Sequence, residues 1–416
     1  MASTVRFLAP DTDAFVASVQ RHIAEFEKET GHTADLKILA SDLYFSNKIH
    51  PFLEGSAAAD VYTSGPVLLW EHLAAGYVEP LDDYVRGAAS DYHPEDFFDS
   101  VMRANRWTGR FGDKLGTGPL LEIPVNCESY NLAYVPEILA RCGVEVPSTW
   151  EAYFKAARTI AQKAGPSVLG FGQRGIDVWH TMYTGYATQF WSCGATDFDE
   201  SGRCAIASAA GIKATRDFID ALKTSGPRDW TNQRWYELAL DFARGRYGLL
   251  VDSDHYVAYF ESMEHSTQVG RIGYALPPAG PGGLRRPNLW TWSLVMNARS
   301  TRKRAAWDFM QWASSRQFLL RSAFEGNMNP TRRSVWNDEA FVRHTRPWDG
   351  FYAVSRRLAE ELGSVLVTPS ANYLGIASRW TRALLDAHTG KDTVKSALSS
   401  AARDIDRIAA AATPRD

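Results

Sequence analysis

TVRFLAPDTDAFVASVQRHIAEFEKETGHTADLKILA, residues 4–40, predicts a strand, a helix and a second strand in that order. Apolar residues recur at helical spacing from Asp13 to Thr30, and Gly31 is the residue that ends the predicted helix. A third strand at Asp60 to Tyr62 and a helix that starts at Pro66 continue the alternation. Strands that alternate with helices are typical of a parallel sheet with helices packed on its faces.

The rest of the chain predicts a second α/β unit and a mostly helical C-terminal third. The second alternation runs from Val168 to Glu261, and residues 276–287 are dense in proline and glycine, which marks a loop or a crossing. We therefore expect an α/β protein of two lobes, with its ligand in the cleft between them. The expected division is 1–125 plus 277–329 for the N-terminal lobe and 126–276 plus 330–416 for the C-terminal lobe.

Composition and charge exclude several classes of protein. The 416 residues carry 45 Lys plus Arg against 48 Asp plus Glu, a formal net charge of -3, which argues against a dedicated nucleic-acid binder. We find no apolar run of the ~18 residues that a membrane-spanning helix needs. The start of the chain, Met1 to Thr4, lacks the features of a secretory signal, so we expect a cytosolic protein or one whose signal is absent from this chain.

The four cysteines give no zinc-ligand spacing, and we expect neither a metal nor a cofactor. Cys193 and Cys204 flank a short polar segment that is rich in turn-forming residues. One hypothesis is a disulfide that closes this segment, as would suit an oxidising compartment. The alternative, two unpaired and buried cysteines, is left open.

Candidate ligand-binding residues follow from the predicted strand order. Ligands of α/β sheets bind at the carboxyl ends of strands, which directs attention to Asp11, Thr12, Ser41, Tyr44 and Ser64. Asp and Thr at such positions also commonly cap helices, so the structural explanation stays open. The other candidates lie at the expected crossings, in a loop of the second unit or on aromatic runs, and they are Asn126, Glu128, Arg174, Trp179, Asp252, Trp290, Trp292, Asn329, Arg332 and Tyr373.

Two closely spaced tryptophans, Trp290 and Trp292, suggest a surface on which the C–H groups of a sugar could pack. We expect their rings to lie on opposite faces of a strand, so that at most one contacts the ligand. With 14 Trp and 17 Tyr in the chain, the aromatic content favours a pyranose or a short oligosaccharide over a small polyol. Packing in the protein core is the competing explanation for each ring.

The chain resembles the extracellular, or periplasmic, solute-binding proteins of ABC importers, specifically the carbohydrate-binding family 1. The resemblance spans nearly the whole length and rests on ADVY (59–62) with LAAGYVEPLDDY (73–84), IPVN (123–126) with PSTWE (147–151), DFARGRYGLLVD (241–252), WSL (292–294) with AAWDF (305–309), and NPTR (329–332). It departs from the family pattern at Thr291, where a glycine is usual.

The resemblance implies a two-lobed, type II periplasmic-binding-protein fold that closes around a sugar and delivers it to the permease subunits of an ABC transporter. It also implies a monomer that works in the periplasm or outside the cell, makes no contact with nucleic acid and carries out no chemical reaction. Two alternatives remain. Asp252 and Asp254 could be the paired carboxylates of a glycosidase, or the same scaffold could serve a ligand-sensing or interaction protein that transports nothing.

Overall fold

The computed structural model describes residues 2–11, 14–45, 49–175 and 185–411, so the predicted site residues Thr12 and Trp179 lie outside the described residues. The strands are β1 (Thr4–Pro10), β2 (Thr33–Leu39), β3 (Val61–Ser64), β4 (Ile123–Tyr134), β5 (Leu169–Gly172), β6 (Tyr247–Ser253), β7 (Gly273–Ala275) and β8 (Leu289–Met296). The helices of the first half are α1 (Ala14–Thr30), α2 (Ser41–Phe45), α3 (Pro66–Ala74), α4 (Asp82–Arg86), α5 (Asp99–Ala104), α6 (Pro136–Cys142), α7 (Trp150–Lys163), α8 (Gly185–Ser192) and α9 (Ala209–Ser225). Those of the second half are α10 (Trp235–Ala243), α11 (Val257–Phe260), α12 (Lys303–Ala313), α13 (Arg316–Phe324), α14 (Arg333–Trp336), α15 (Glu339–Thr345), α16 (Phe351–Arg357), α17 (Tyr373–His388) and α18 (Val394–Ala410).

The chain folds into two compact units, each assembled from segments that are distant in sequence. The first unit contains residues 1–127, 290–342 and 369–371, and the second contains 128–289, 343–368 and 372–416. Two of the unit boundaries fall inside strands, within β4 and within β8. Residues 277–289, which we expected in the N-terminal lobe, belong to the second unit, and residues 330–342, which we expected in the C-terminal lobe, belong to the first.

The first unit is built on a mixed sheet with the strand order β2-β1-β3-β8. β1 pairs in parallel with both β2 and β3, as the strand–helix alternation predicts, whereas β3 pairs with β8 in antiparallel register, with Ser64 opposite Ser293. The predicted apolar stripe of α1 is confirmed, because Phe15, Val19 and Phe26 are fully buried in the core of this unit. Each such side chain contributes roughly 1.5–3 kcal/mol to folding by leaving water.

The second unit is built on β4, β5, β6 and β7. β4 pairs in antiparallel register with β6 and with β7, and β5 runs parallel to β6. Helix α7 packs on β5 and β6, α9 packs on β5 and α7, and α17 and α18 form a close helical pair that packs on α9. The expected helical character of the last third of the chain is confirmed.

Three local features concern single elements or residues. β4 is one continuous strand of twelve residues. The N-cap of α7 is Thr149, whose hydroxyl accepts a hydrogen bond from the amide of Ala152. Cys193 and Cys204 form no disulfide, so that hypothesis is wrong, and both are half-buried where the alternative expected buried residues.

No helix among residues 2–11, 14–45, 49–175 and 185–411 has the length and apolar character that crossing a lipid bilayer requires.

Candidate ligand-binding site

The carboxyl ends of the parallel strands of the first unit hold three of the predicted residues. Asp11 follows β1, Ser41 begins α2 after β2, and Ser64 is the last residue of β3. One carboxylate oxygen of Asp11 accepts hydrogen bonds from the Ser41 amide at 3.0 Å and from the Ser41 hydroxyl at 2.9 Å. The strand order therefore brings Asp11 and Ser41 into contact and puts Ser64 at the same edge of the sheet, as predicted.

Trp290 and Trp292 lie in β8 and their rings are in contact, with centroids 5.3 Å apart in an edge-to-face arrangement. The expectation that they point to opposite faces is wrong, because residues two apart on a strand lie on the same face. Trp290 is only 3% exposed and packs on Gly65, where an added Cβ would come within 2.2 Å of the indole. Trp290 is thus a packing residue, and it supports the ring of Trp292.

Trp292 is half-buried and forms an aromatic pair with Phe45, the last residue of α2, at a centroid distance of 5.5 Å. Phe45 is half-buried as well. Since α2 begins at Ser41, the aromatic pair and the strand-end polar groups belong to the same end of the first unit. Indole and phenyl faces of this kind can pack against the C–H groups of a sugar or polyol.

Four predicted residues of the first unit make the contacts of structural residues. The Tyr44 hydroxyl is buried and donates to the carbonyl of Thr63 at 2.6 Å. The Asn126 amide donates to the side chain of Asn327 within the core of the unit. Asn329 is 1% exposed, and its carbonyl accepts a hydrogen bond from the amide of Cys127 at 3.1 Å.

Arg332, the fourth, is 1% exposed. Its Nε donates to the carbonyl of Ser314 at 2.7 Å, and its Nη1 donates to the carbonyl of His93 at 2.9 Å. The guanidinium also lies 4.0 Å from the ring centroid of Phe97. Burial lowers the pKa of Arg332, and the neighbouring Tyr92 and Asp96 partly oppose this shift. The turn that carries NPTR in the sequence therefore closes the core of the first unit.

The second unit contains an arginine held by three hydrogen bonds. Arg174 follows β5, and it donates from Nε to Oδ2 of Asp252 at 3.1 Å and from Nη2 to Oδ1 of Asp252 at 2.9 Å. Nη2 also donates to the hydroxyl of Tyr130 at 3.0 Å. Asp252 is close to the end of β6 and Tyr130 is in β4, so three elements position the guanidinium. The pair is bidentate, a geometry that fixes the plane of the guanidinium.

Aromatic rings and a second carboxylate surround this arginine. The guanidinium carbon lies 5.8 Å from the centroid of Tyr256, which stacks on the half-buried Trp235 at 6.4 Å. Burial works against the charge of Arg174, but Asp252 and the nearby oxygen groups, including Glu128, outweigh it and raise the arginine pKa. Burial also raises the pKa of Tyr256 well above its ordinary value, so its hydroxyl is neutral at physiological pH.

Two groups here have hydrogen-bonding capacity that the described residues do not use. The Tyr256 hydroxyl has no protein hydrogen-bond partner among the described residues, and Arg174 makes no bond through Nη1 to any of them. The cluster of Arg174, Asp252, Tyr130, Tyr256 and Glu128, which we call the arginine cluster, therefore offers an N–H pair and a neutral hydroxyl beside aromatic faces. These are groups that bind hydroxyls.

Sequence reasoning found Arg174, Asp252 and Glu128 but missed Tyr130, Tyr256 and Phe45. The strand pattern of β4 could have predicted Tyr130. Residues two apart on a strand share a face, and Glu128 was already a candidate. Tyr256 and Phe45 follow the ends of strands within short helices, where no pattern distinguishes them. Tyr373, another predicted residue, begins α17 and is 3% exposed.

Acidic, histidine and cysteine side chains do not gather into a group of three that could hold a metal ion anywhere in the described part of the chain.

Comparison with known proteins gives a consistent result along the chain. The sequence profile of the bacterial extracellular solute-binding proteins matches residues 9–317. A curated relative, the erythritol/L-threitol-binding protein of Mycolicibacterium smegmatis, is 27% identical over 402 residues, which cover 94% of this chain and 83% of the relative.

Two solved structures have the same fold. An ABC transporter solute-binding protein from Agrobacterium radiobacter, in complex with ribitol, superposes with a TM-score of 0.84 at 18% identity and covers 98% of both chains. Another from Agrobacterium vitis, with bound D-mannitol, gives a TM-score of 0.83 at 21% identity over the whole of both chains. The α/β class and the type II periplasmic-binding-protein fold are thereby confirmed. With the sequence profile covering most of its length, this chain belongs to the family of bacterial extracellular solute-binding proteins.

Proposed function

We propose that this protein binds a polyol or a sugar and delivers it to the permease subunits of an ABC importer without changing it chemically. It does so on the outer side of the cytoplasmic membrane, as the family description implies, and as a single chain. The observation that carries the proposal is the similarity over 94% of the chain to a protein named for binding erythritol and L-threitol.

The side chains of each unit supply chemistry that suits such a ligand. In the second unit the arginine cluster offers N–H donors and neutral tyrosine hydroxyls, and each hydrogen bond to a charged donor contributes about 1.5–3 kcal/mol. In the first unit Trp292 and Phe45 offer aromatic faces beside Asp11 and Ser41. Polyols carry hydroxyls, which suit such donors, and C–H groups, which suit aromatic faces.

A small polyol is favoured over the pyranose that the aromatic content suggested. Much of that content packs cores, since Trp70, Trp107, Trp230, Trp307, Trp336 and Trp380 are all fully buried. These rings are accounted for without a ligand. The named ligands of the similar proteins include erythritol, L-threitol, ribitol and D-mannitol, which are linear polyols.

The glycosidase alternative has little support in the geometry of its two carboxylates. Both oxygens of Asp252 are engaged by Arg174, so this group is not available as a general acid. Asp254 is buried and accepts a hydrogen bond from the amide of Ser129 at 2.8 Å. A glycosidase needs one carboxyl that holds a proton and another that acts as base or nucleophile. We therefore propose a binding protein and not an enzyme.

Titration calorimetry with erythritol, L-threitol, ribitol, D-mannitol and maltose tests the proposal. We expect saturable binding of at least one linear polyol at a dissociation constant of about 1 μM or tighter, about -8 kcal/mol, with the ligand recovered intact after incubation. Failure of every polyol and sugar to bind, or recovery of hydrolysed or oxidised ligand, would contradict the proposal.

A further inference from the structure

We propose that Asp252 is a specificity residue, which orients Arg174 and cancels its charge so that the protein accepts uncharged polyols and rejects the corresponding sugar acids. The inference rests on the proposed function, because it assumes that Arg174 contacts the ligand. It makes Asp252 a positioning residue, in contrast to the direct ligand contact that the sequence suggested.

The geometry of the pair leaves Asp252 no free oxygen with which to bind a ligand. Its two oxygens accept from Nε and Nη2 of Arg174, and Oδ1 also accepts from the amide of Ser253 at 2.7 Å. The Asp252 side chain is 1% exposed, whereas that of Arg174 is 11% exposed. The arginine is therefore the member of the pair that a ligand can reach.

The hydrogen bonds also determine which part of Arg174 is presented. Asp252 takes the Nε–H and one Nη2–H, and the hydroxyl of Tyr130 takes the other Nη2–H. The two N–H groups of Nη1 bond to none of the described residues, and they lie in a plane fixed by the bidentate pair. A guanidinium held in this way donates two hydrogen bonds to hydroxyl oxygens without offering an unpaired charge.

The charges of the arginine cluster disfavour an anionic ligand. Arg174 is the positive group, and Asp252 and Glu128 are two negative groups whose fields both reach it. Glu128 is half-buried in β4 and lies on the chain two residues from Tyr130. Asp252 offsets the charge of Arg174 and Glu128 adds to the negative field, so a ligand carboxylate gains little attraction from the guanidinium in a partly desolvated place, where charges interact more strongly than in water.

The test measures the ratio of affinities for an acid and its matching polyol, with ribitol against D-ribonate and erythritol against D-erythronate as probes. For the wild-type protein we expect the polyol to bind more tightly by about tenfold or more, which is ~1.4 kcal/mol. For Asp252→Asn we expect the ratio to shift toward the acid by about tenfold or more, with ribitol binding weakened by about threefold. Calorimetry gives all four constants.

Two variants control for loss of charge and for loss of fold. Asp404→Asn removes a carboxylate from another arginine pair of the second unit, with Arg379, and is expected to leave the ratio unchanged. The double variant Arg174→Gln with Asp252→Asn restores the wild-type net charge, so the polyol preference should return. If the single variant does not fold, the double variant decides, because loss of the preference there would overturn the inference.

The outcomes separate the two proposals. A wild-type protein that binds no polyol contradicts the proposed function. A wild-type protein that binds ribitol and D-ribonate equally, or an Asp252→Asn variant that folds and keeps the wild-type ratio, contradicts only the role of Asp252.

Discussion

Glu122, just before β4, is a buried carboxyl with no hydrogen-bond partner among the described residues. Burial raises the pKa of Glu122 well above its ordinary value. It lies within electrostatic reach of Tyr62, which packs edge-to-face on His72 at 5.3 Å. Burial lowers the pKa of His72 to about 3, with a small contribution from His50. At neutral pH this part of the first unit therefore contains an uncharged histidine, and burial favours the protonated form of Glu122.

Glu122→Gln is expected to make the protein more stable toward neutral pH. A carboxyl whose folded pKa is raised contributes stability that is complete below its unfolded pKa and is lost as pH rises through the folded pKa. Between these two pKa values the wild type loses up to about 1.4 kcal/mol per pH unit from this group. Glutamine does not titrate, so the variant escapes the loss. Thermal or urea unfolding between about pH 4 and about pH 8 measures the difference.

Glu264→Gln is the matched control, because the Glu264 side chain is 85% exposed. Its stability relative to the wild type should stay constant within about 0.5 kcal/mol across the same range. A difference between wild type and Glu122→Gln that is the same at every pH would show that Glu122 titrates as it does in the unfolded chain.

Trp292→Ala is expected to weaken polyol binding by ~1–3 kcal/mol, by analogy with aromatic anchors at other binding sites. The half-buried ring of Trp292 is paired with Phe45 and supported by the buried Trp290, and in the proposed site this ring packs against the C–H groups of the ligand. Calorimetry with the best polyol measures the loss.

Trp292→Phe keeps an aromatic face and should retain part of the affinity. Unfolding measurements on both variants show whether the first unit is intact. Wild-type affinity in a folded Trp292→Ala protein would remove this residue from the proposed site.

Individual strands position the residues of the arginine cluster, and β4 carries two of them. Glu128 and Tyr130 lie in its second half, where it pairs with β6, so that Tyr130 is directly opposite Ser253 and Asn131 opposite Asp252. The parallel pairing of β5 with β6 then places Gly172 beside Leu250 and directs the following residues toward Asp252. The hydrogen bonds of Arg174 follow from these two registers.

Thr149→Ala is expected to destabilise the second unit by about 1 kcal/mol, since loss of an N-cap hydroxyl typically costs 0.5–2 kcal/mol. The Thr149 hydroxyl accepts from the amide of Ala152 at 3.2 Å, in the first turn of α7. Helix α7 buries Trp150 and Tyr153, so the cap secures an element of the core.

Ser148→Ala is the control beside it, and it should change stability by less than about 0.5 kcal/mol. The side chain of Ser148 is exposed, and its backbone carbonyl accepts hydrogen bonds from the amide of Ala279 and from Nη2 of Arg285, which the substitution leaves in place. Urea unfolding compares the two variants. Equal losses, or a larger loss for Ser148→Ala, would contradict the assignment of the cap.

Ligand binding is a property of the whole molecule, and its effect on stability follows from mass action. A polyol that binds only the folded protein should stabilise it by about 2.7 kcal/mol at a hundred times the dissociation constant, and by ~1.4 kcal/mol more for each further tenfold. The melting temperature should therefore rise with the logarithm of polyol concentration.

Arg174→Gln tests the origin of that stabilisation. The variant keeps the fold contacts of Asp252 with Ser253 but lacks the guanidinium, so its melting temperature should respond less to ribitol. A response equal to that of the wild type would separate ligand binding from the arginine cluster.

The discontinuous assembly of the units shows the limit of sequence reasoning at this scale. The strand–helix alternation correctly predicted the α/β class, the parallel pairing of β1 with β2 and β3, and the approximate end of each early element. It missed the antiparallel return of β8 to β3, because strand direction depends on where a later segment packs. The boundaries near residues 277 and 329 were displaced for the same reason.

The sequence by itself determined the element order and the residues at the strand ends, such as Asp11, Ser41 and Ser64, because periodicity and strand direction are local properties. Only the tertiary structure decided which polar groups face one another. Arg174 meets Asp252 across 78 residues and Tyr130 across 44. Arg332, which looks like a site residue in the sequence, is buried against backbone carbonyls. Burial and long-range pairing depend on which strands become neighbours, and no local pattern encodes that choice.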